Sequence, residues 1–244
     1  MLMKPLLLSL GGFNLFAYPL LMGLAWGLAF RISDYFRFKL NIQVKSFNLL
    51  FWGALICSWV GAKLMFLAVS GGELQSTYAQ STSFWLGGGF VFYGGLIFGG
   101  AWLLILSKVF KQYELSDLYF ILPSLTIGHA VGRVGCFLAG CCYGTQCDLP
   151  FSVHMHGQDR HPVQLYETFL LGLLSYVLWK FAIVKNKKAV WLSYLGGYGL
   201  IRIITESFRG DIIRGFYGPL STSQWVSVAM IMAAIILSLK LKKN

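Results

Sequence analysis

A chain of 244 residues with 57% apolar and 12% charged side chains, and a mean hydropathy of +0.65, is not a water-soluble domain, where about a quarter of residues carry charge. Its formal net charge of +11 would speak for nucleic acid in a soluble protein, but in so apolar a chain the placement of the basic residues outweighs their sum, and no nucleic-acid partner is expected. The expected class is an all-α polytopic membrane protein, one domain over 1–244.

Apolar runs of about 18 to 24 residues, long enough to cross the hydrocarbon core as helices, are expected at 13–30, 47–69, 84–107, 116–140, 163–184, 189–208 and 221–239, seven transmembrane helices in all. Before the first, Lys4 and the apolar residues after it run into Gly11-Gly12 with no small-residue cleavage site, so this stretch reads as an uncleaved lead-in. Within the first span, Tyr18-Pro19 reads either as a kink carrying an interfacial tyrosine or as a lipid head-group contact. The segment RISDYFRFKLNIQVK (31–45) reads as a basic amphipathic connector facing anionic lipid heads. In the second span Cys57 is a small packing residue, and Lys63 is expected to snorkel outward. The third carries FYGGL, where Gly94-Gly95 suit close helix packing and the Tyr93 hydroxyl is placed to hydrogen-bond a lipid ester or phosphate.

Basic residues set the orientation. Arg31, Arg37, Lys39 and Lys45 follow the first span, Lys108 and Lys111 the third, Lys180, Lys185, Lys187 and Lys188 the fifth, and Lys240, Lys242 and Lys243 close the chain. These thirteen of the twenty basic residues fall on one side, which places the N-terminus outside and the C-terminus in the cytoplasm. The other seven are Lys4, Lys63, Arg133, Arg160, Arg202, Arg209 and Arg214, and a basic cluster on the wrong side marks a site.

The fourth span holds GHAVGRVGCFLAGCCYG (128–144). Residues four apart share a helix face, so His129, Arg133 and, one turn on, Cys136 and Phe137 line up. Gly128, Gly132 and Gly135 form a second face on which a neighbouring helix can approach closely, which puts this span in the bundle centre. An arginine at mid-bilayer depth costs about 2.5–3.5 kcal/mol and persists only with a counter-charge, a water-filled cavity or an anionic ligand. The loop from Gly140 to His161 gathers Cys141, Cys142, Cys147, His154, His156, Asp159, Arg160 and His161. A disulfide between Cys141 and Cys142 or Cys147, a zinc or copper site, and plain packing are all open for these cysteines.

The fifth span opens with DRHPVQLYE, where Pro162 suits a first helical turn and Glu167 enters the membrane, placed to neutralise Arg133 or Arg202. In the sixth, Tyr198, Arg202, Thr205 and Arg209 share one face, and Glu206 one turn beyond Arg202 offers an intrahelical ion pair. The charge sum near the outer leaflet is expected to stay positive and to favour an anionic guest. A guanidinium binds phosphate oxygens in bidentate fashion, so the expected guest is a phospholipid head.

In chain order, YGGL (93–96), GRVGCFLAGCCYG (132–144), RHPVQLYE (160–167) and YGLIRIITESFR (198–209) resemble the motifs of the prolipoprotein diacylglyceryl transferase family over nearly the whole chain. The resemblance implies a multi-pass enzyme of the bacterial inner membrane. Such an enzyme moves the diacylglyceryl group of phosphatidylglycerol onto the lipobox cysteine of a preprolipoprotein, making a thioether and releasing glycerol phosphate. By motif position it implies Arg133 and Arg202 as catalytic, phosphatidylglycerol-binding arginines, Glu206 as their acidic partner, and Tyr18 and Tyr198 as substrate contacts. From the residues themselves, Tyr93 is a further catalytic candidate, and Gly94, Gly95, Glu167 and His161 are further substrate contacts; no cofactor and no metal is expected. Where the family usually has His-Gly-Gly this chain has Tyr93-Gly94-Gly95, and where it usually reads GRxGNFxNGE this one has Cys136, Ala139 and Cys141. His129, His161 and Tyr93 are the candidates for the base that deprotonates the incoming thiol. Two rival classes stay open: a lipid-binding relative or transporter that keeps the arginines without turnover, and a thiol-redox or metal-handling membrane protein using the Cys/His cluster. The absence of an inverted repeat weighs against a transporter.

Overall fold

The computed structural model describes residues 5–10, 13–69, 91–109, 111, 113–211 and 216–240. Among these the chain forms seven α-helices: α1 (Ala17–Lys39), α2 (Phe47–Val69), α3 (Phe92–Lys108), α4 (Leu122–Ala139), α5 (Val163–Ile183), α6 (Lys187–Ser207) and α7 (Thr222–Lys240). A 3-10 segment, Leu115–Ile121, leads into α4. Three short antiparallel pairs join them: β1 (Leu6–Leu10) with β2 (Phe13–Phe16), β3 (Val153–Met155) with β4 (Gln158–Arg160), and β5 (Phe216–Tyr217) with β6 (Leu220–Ser221). Four stretches are long and apolar enough to cross a bilayer: Phe47–Ala68, Leu115–Ala139, Val163–Ile183 and Thr222–Leu239.

The elements correct several expectations. The all-α reading misses the three hairpins, and residues 13–16 form β2 rather than the first helical turn. Pro19 then lies in the first turn of α1, where its missing N–H costs nothing, and not at a kink. The expected connector at 31–45 is largely helix, because RISDYFRFK contains no breaker and its basic residues suit a helix C-terminus. Asn41, at φ 54°, ends α1 in the left-handed conformation, with the Ile42 amide donating to the Arg37 carbonyl at 2.9 Å. The part of the third span at 84–90 lies outside the described residues, as do Lys4 and Arg214. Lys63 does not snorkel; it is 1% exposed, with its ammonium 5.9 Å from the Trp59 ring centroid.

The chain divides into two compact units. In the unit Arg37–Leu118, α2 and α3 cross where Gly61 faces Gly94: a Cβ on Gly94 would run into the Gly61 carbonyl, and one on Gly95 would lie 3.1 Å from the Ser58 carbonyl. The glycine pair of YGGL is thus used for packing, and the Tyr113 hydroxyl donates to the Leu103 carbonyl at 2.7 Å below it.

The other unit, Met1–Phe36 with Tyr119–Asn244, follows the same rule. The glycine face of α4 receives α1, since a Cβ at Gly128 would lie 3.0 Å from the Ala25 carbonyl, and one at Gly135 3.3 Å from the Leu21 Cβ. The Ser33 and Ser124 hydroxyls pair between the same helices. Ser175 on α5 donates to the Pro123 carbonyl at 2.7 Å, and Gly199 on α6 meets the Ser227 carbonyl of α7, at 2.9 Å from where a Cβ would stand. Lipid tails supply no hydrophobic drive between helices, so close approach and interhelical hydrogen bonds hold the bundle together. Burial is accordingly inverted: Leu24, Phe169 and Leu200 point outward, while Gln164, Glu167, Arg202, Thr205 and Glu206 are buried.

Overpacking the α1–α4 contact tests this arrangement. Gly128→Val is expected to destabilise the full chain by about 1–3 kcal/mol, whereas Gly27→Ala, whose Cβ would meet no atom within 4 Å, leaves thermal unfolding in detergent unchanged.

Candidate functional site

The arginines of α4 and α6 converge. Glu167, near the start of α5, lies between them with Oε2 2.9 Å from Arg133 Nε, while Arg202 Nη1 donates to Oε1 at 3.0 Å and to Oε2 at 3.2 Å. Arg202 Nη2 reaches Glu206 Oε2 at 3.1 Å and the Ser223 hydroxyl at 3.0 Å, so α4, α5, α6 and α7 all contribute to one cluster. Arg209 Nη1 contacts Glu206 at 3.4 Å, and its other nitrogens grip Asp211 in a bidentate pair at 3.0 and 2.6 Å. His129 Nε2 stands 3.8 Å from Glu167 Oε1.

Among the described residues, the guanidiniums of Arg133, Arg202 and Arg209 thus meet the carboxylates of Glu167, Glu206 and Asp211. The sequence reading did not count Asp211 and left Glu167 to one arginine. The two arginines differ in how they are held. Arg202 directs both terminal nitrogens at acceptors, whereas the buried Arg133 Nε–H has no aligned acceptor among the described residues although Glu167 is within ion-pair distance. The carboxylate thus fixes Arg133 by charge while leaving its donors unsaturated.

Local sequence explains the positions. Gly140, at φ 71°, caps α4 in the left-handed conformation and turns the chain back. The His156-Gly157 pair, at φ 53° and 77°, makes the tight turn between β3 and β4. Gly144 pairs with Arg209, the Thr145 amide donates to the Phe208 carbonyl at 2.8 Å, and the Gly210 amide donates to the Tyr143 carbonyl at 3.0 Å, which fastens the loop to the end of α6. Gln164 Nε2 donates to the Cys141 carbonyl at 2.7 Å.

His161 Nδ1 pairs with the Tyr166 hydroxyl at 3.1 Å, and the Phe208 ring lies 5.3 Å from the His161 ring, so this histidine is a structural neighbour of the rim. Tyr198 lies beside the cluster with its ring 5.6 Å from His129, and Tyr18 packs on Gly135, where a Cβ would stand 3.4 Å from its ring. Tyr93 is half-exposed near the start of α3, in the unit Arg37–Leu118. Sequence reasoning missed Gln164, Asp211 and Ser223. Gln164 stood within RHPVQLYE and Asp211 two residues past Arg209, but no local signal marked Ser223.

The sequence profile of the prolipoprotein diacylglyceryl transferase family matches residues 5–240. This chain belongs to that family. It is 31% identical over 242 residues to the phosphatidylglycerol–prolipoprotein diacylglyceryl transferase of Clostridium tetani, covering 96% of each chain. It is 29% identical over 241 residues to the same-named protein of Finegoldia magna, covering 97% of this chain and 95% of the relative. A Clostridium perfringens protein named phosphatidylglycerol–prolipoprotein diacylglyceryl transferase 2 matches 62% of each chain at 35% identity.

The sulfurs of Cys136, Cys141 and Cys142 lie within 4.8 Å of one another, and all five cysteines of the chain are free thiols. Neither disulfide considered from sequence is formed, and the partner gathered in is Cys136, one turn before the helix end, rather than Cys147. Hydrogen bonds from the Cys136 and Cys141 thiols, helped by the Arg133 and Arg209 charges, hold Cys142 well below the ordinary thiol range. Cys141, hydrogen-bonded in turn to Cys136 and Cys142, is pushed up.

Glu167→Gln removes the charge that two guanidiniums share and is expected to cost about 3–5 kcal/mol of stability, because it leaves buried cations short of a partner. Combined with Arg133→Gln, the loss should fall well short of the sum of the single losses. Unfolding of all three variants in detergent measures the coupling.

Proposed function

We propose that this chain transfers the diacylglyceryl group of phosphatidylglycerol to the cysteine thiol of a prolipoprotein lipobox, forming a thioether and releasing glycerol phosphate. The observation that carries the reading is the meeting of Arg133 and Arg202 on Glu167, within a chain that matches the family over 5–240 and relatives bearing the enzyme's name.

In this reading Arg133, with unsaturated donors, takes the phosphate oxygens, and its positive charge stabilises the negative charge that grows on the departing glycerol phosphate. Arg202 is a positioning residue: bound to Glu167 and Glu206, it orients the carboxylate that steadies Arg133. Glu206 holds Arg202 and Arg209 in turn. An incoming phosphodiester competes with Glu167 for Arg133, and partial release of Arg133 from the carboxylate accommodates it. Tyr18 and Tyr198 flank the head group, with His129 beside Glu167 as the base candidate nearest the arginines. Tyr93 and His161 are kept as further candidates, whereas Gly94 and Gly95 serve the packing of α3 on α2.

The placement proposed is that of a seven-span protein of the bacterial inner membrane, N-terminus outside and C-terminus in the cytoplasm, its site opening on the external side. The basic residues after α1, α3 and α5 and at the chain end support that orientation.

The test is turnover of labelled phosphatidylglycerol with a lipobox peptide by purified protein. Arg133→Ala is expected to lower kcat by about 100- to 1,000-fold, as for loss of one preorganised donor to a developing anion. Arg133→Lys should recover little, since a point ammonium cannot replace a fork of donors. An active preparation that yields no thioether excludes the transferase reading.

A further inference from the structure

The triad of Cys136, Cys141 and Cys142 has no part in the chemistry described so far, yet it is built rather than incidental. Cys136 comes from the last turn of α4; Cys141 and Cys142 come from the chain turned back by Gly140, and Cys142 itself holds a left-handed backbone at φ 61°. Such a conformation is uncommon outside glycine and asparagine and costs stability. Neighbours keep the turn in place: Gln164 donates to the Cys141 carbonyl at 2.7 Å, and His156 Nε2 stands 2.7 Å from the Gly140 carbonyl. The result brings three sulfurs within 4.8 Å of one another, with Cys136 at the buried end and Cys141 exposed.

We infer that these three thiolates form a binding site for a zinc ion whose fourth coordination position stays open to an incoming thiol. Tetrahedral zinc with Zn–S bonds of about 2.3 Å needs sulfurs roughly 3.8 Å apart, a spacing that lies within the 4.8 Å limit of the three sulfurs. No histidine or carboxylate joins the three sulfurs among the described residues, so the set is the three-ligand, open pattern of a reactive zinc site rather than the closed four-ligand pattern of a structural one. Charge favours zinc over copper(I): three thiolates around a divalent ion leave one negative charge, around a monovalent ion two. The exposed side at Cys141 is where a further ligand enters.

The mechanistic consequence rests on the transferase reading. An acceptor cysteine displacing water from the fourth position loses its proton to solvent and is held as a thiolate at neutral pH. Its sulfur attacks the glycerol carbon; the C–S bond forms, the C–O bond to phosphate breaks, and the electron pair leaves with glycerol phosphate while water returns to the metal. This supplies thiol activation in a chain that has Tyr93 where the family usually places a histidine.

Cobalt(II) titrated into the reduced full-length protein in detergent tests the site without relying on turnover. One equivalent should give thiolate-to-cobalt charge-transfer and tetrahedral ligand-field bands, displaced by zinc. The bands should disappear in Cys136→Ser, Cys141→Ser and Cys142→Ser and persist in Cys57→Ser and Cys147→Ser. N-acetylcysteine or a lipobox peptide should then shift the ligand-field bands as it fills the open position. No cobalt uptake by wild type, or uptake that survives loss of all three cysteines, overturns the site; unshifted bands on thiol addition overturn the open position. In the transfer assay, chelation should lower the rate at least tenfold, with one equivalent of zinc restoring it, and full activity of zinc-free enzyme overturns thiol activation. A protein with the cobalt spectrum and thiol response but no transfer supports the site and defeats the transferase reading alone.

Discussion

The carboxylate of Glu167 is the interaction on which the bundle's interior depends. It lies on α5 and meets a guanidinium from α4 on one oxygen and a guanidinium from α6 on both. A single arginine in an apolar bundle is costly, and a pair of them in contact would repel; one shared carboxylate converts both into a reason for three helices to stay together. Ser223 extends the same cluster to the first turn of α7.

That electrostatic centre is possible because the helices around it are allowed to come close. Small residues at the crossings bring α1 onto α4 and α6 onto α7, and serine hydroxyls bridge α4 to α1 and α5. The loop after α4 is then drawn across the cluster by backbone hydrogen bonds to the end of α6, which sets Arg209, Cys142 and the rim histidines around one region of the unit. Packing places the charges, and the charges in turn make any slippage of that packing expensive.

The site combines an ordinary family feature with an unusual one. The arginine cluster contains a guanidinium whose buried Nε–H is not aligned on an acceptor among the described residues. The cysteine triad lies at the edge of the same region, with Arg133 and Arg209 close enough to act on Cys142.

Helix placement was largely legible in sequence because length and hydropathy are local properties: the second, fifth and seventh spans match α2, α5 and α7 within a residue or so at each end. The glycine face of α4 was legible too, since helical periodicity alone assigns it, and so was the pairing of Arg202 with Glu206 one turn away. The hairpins, the helical continuation through Lys39 and the burial of Lys63 were not, because each depends on a neighbour or a terminating turn rather than on composition. What the tertiary structure decided was partnership: that Glu167 serves two arginines at once, that Asp211 pairs with Arg209, and that Cys136 rather than Cys147 joins Cys141 and Cys142. Sequence spacing carries a residue's chemistry and its helix face, whereas which faces meet is settled by the crossing of helices far apart along the chain.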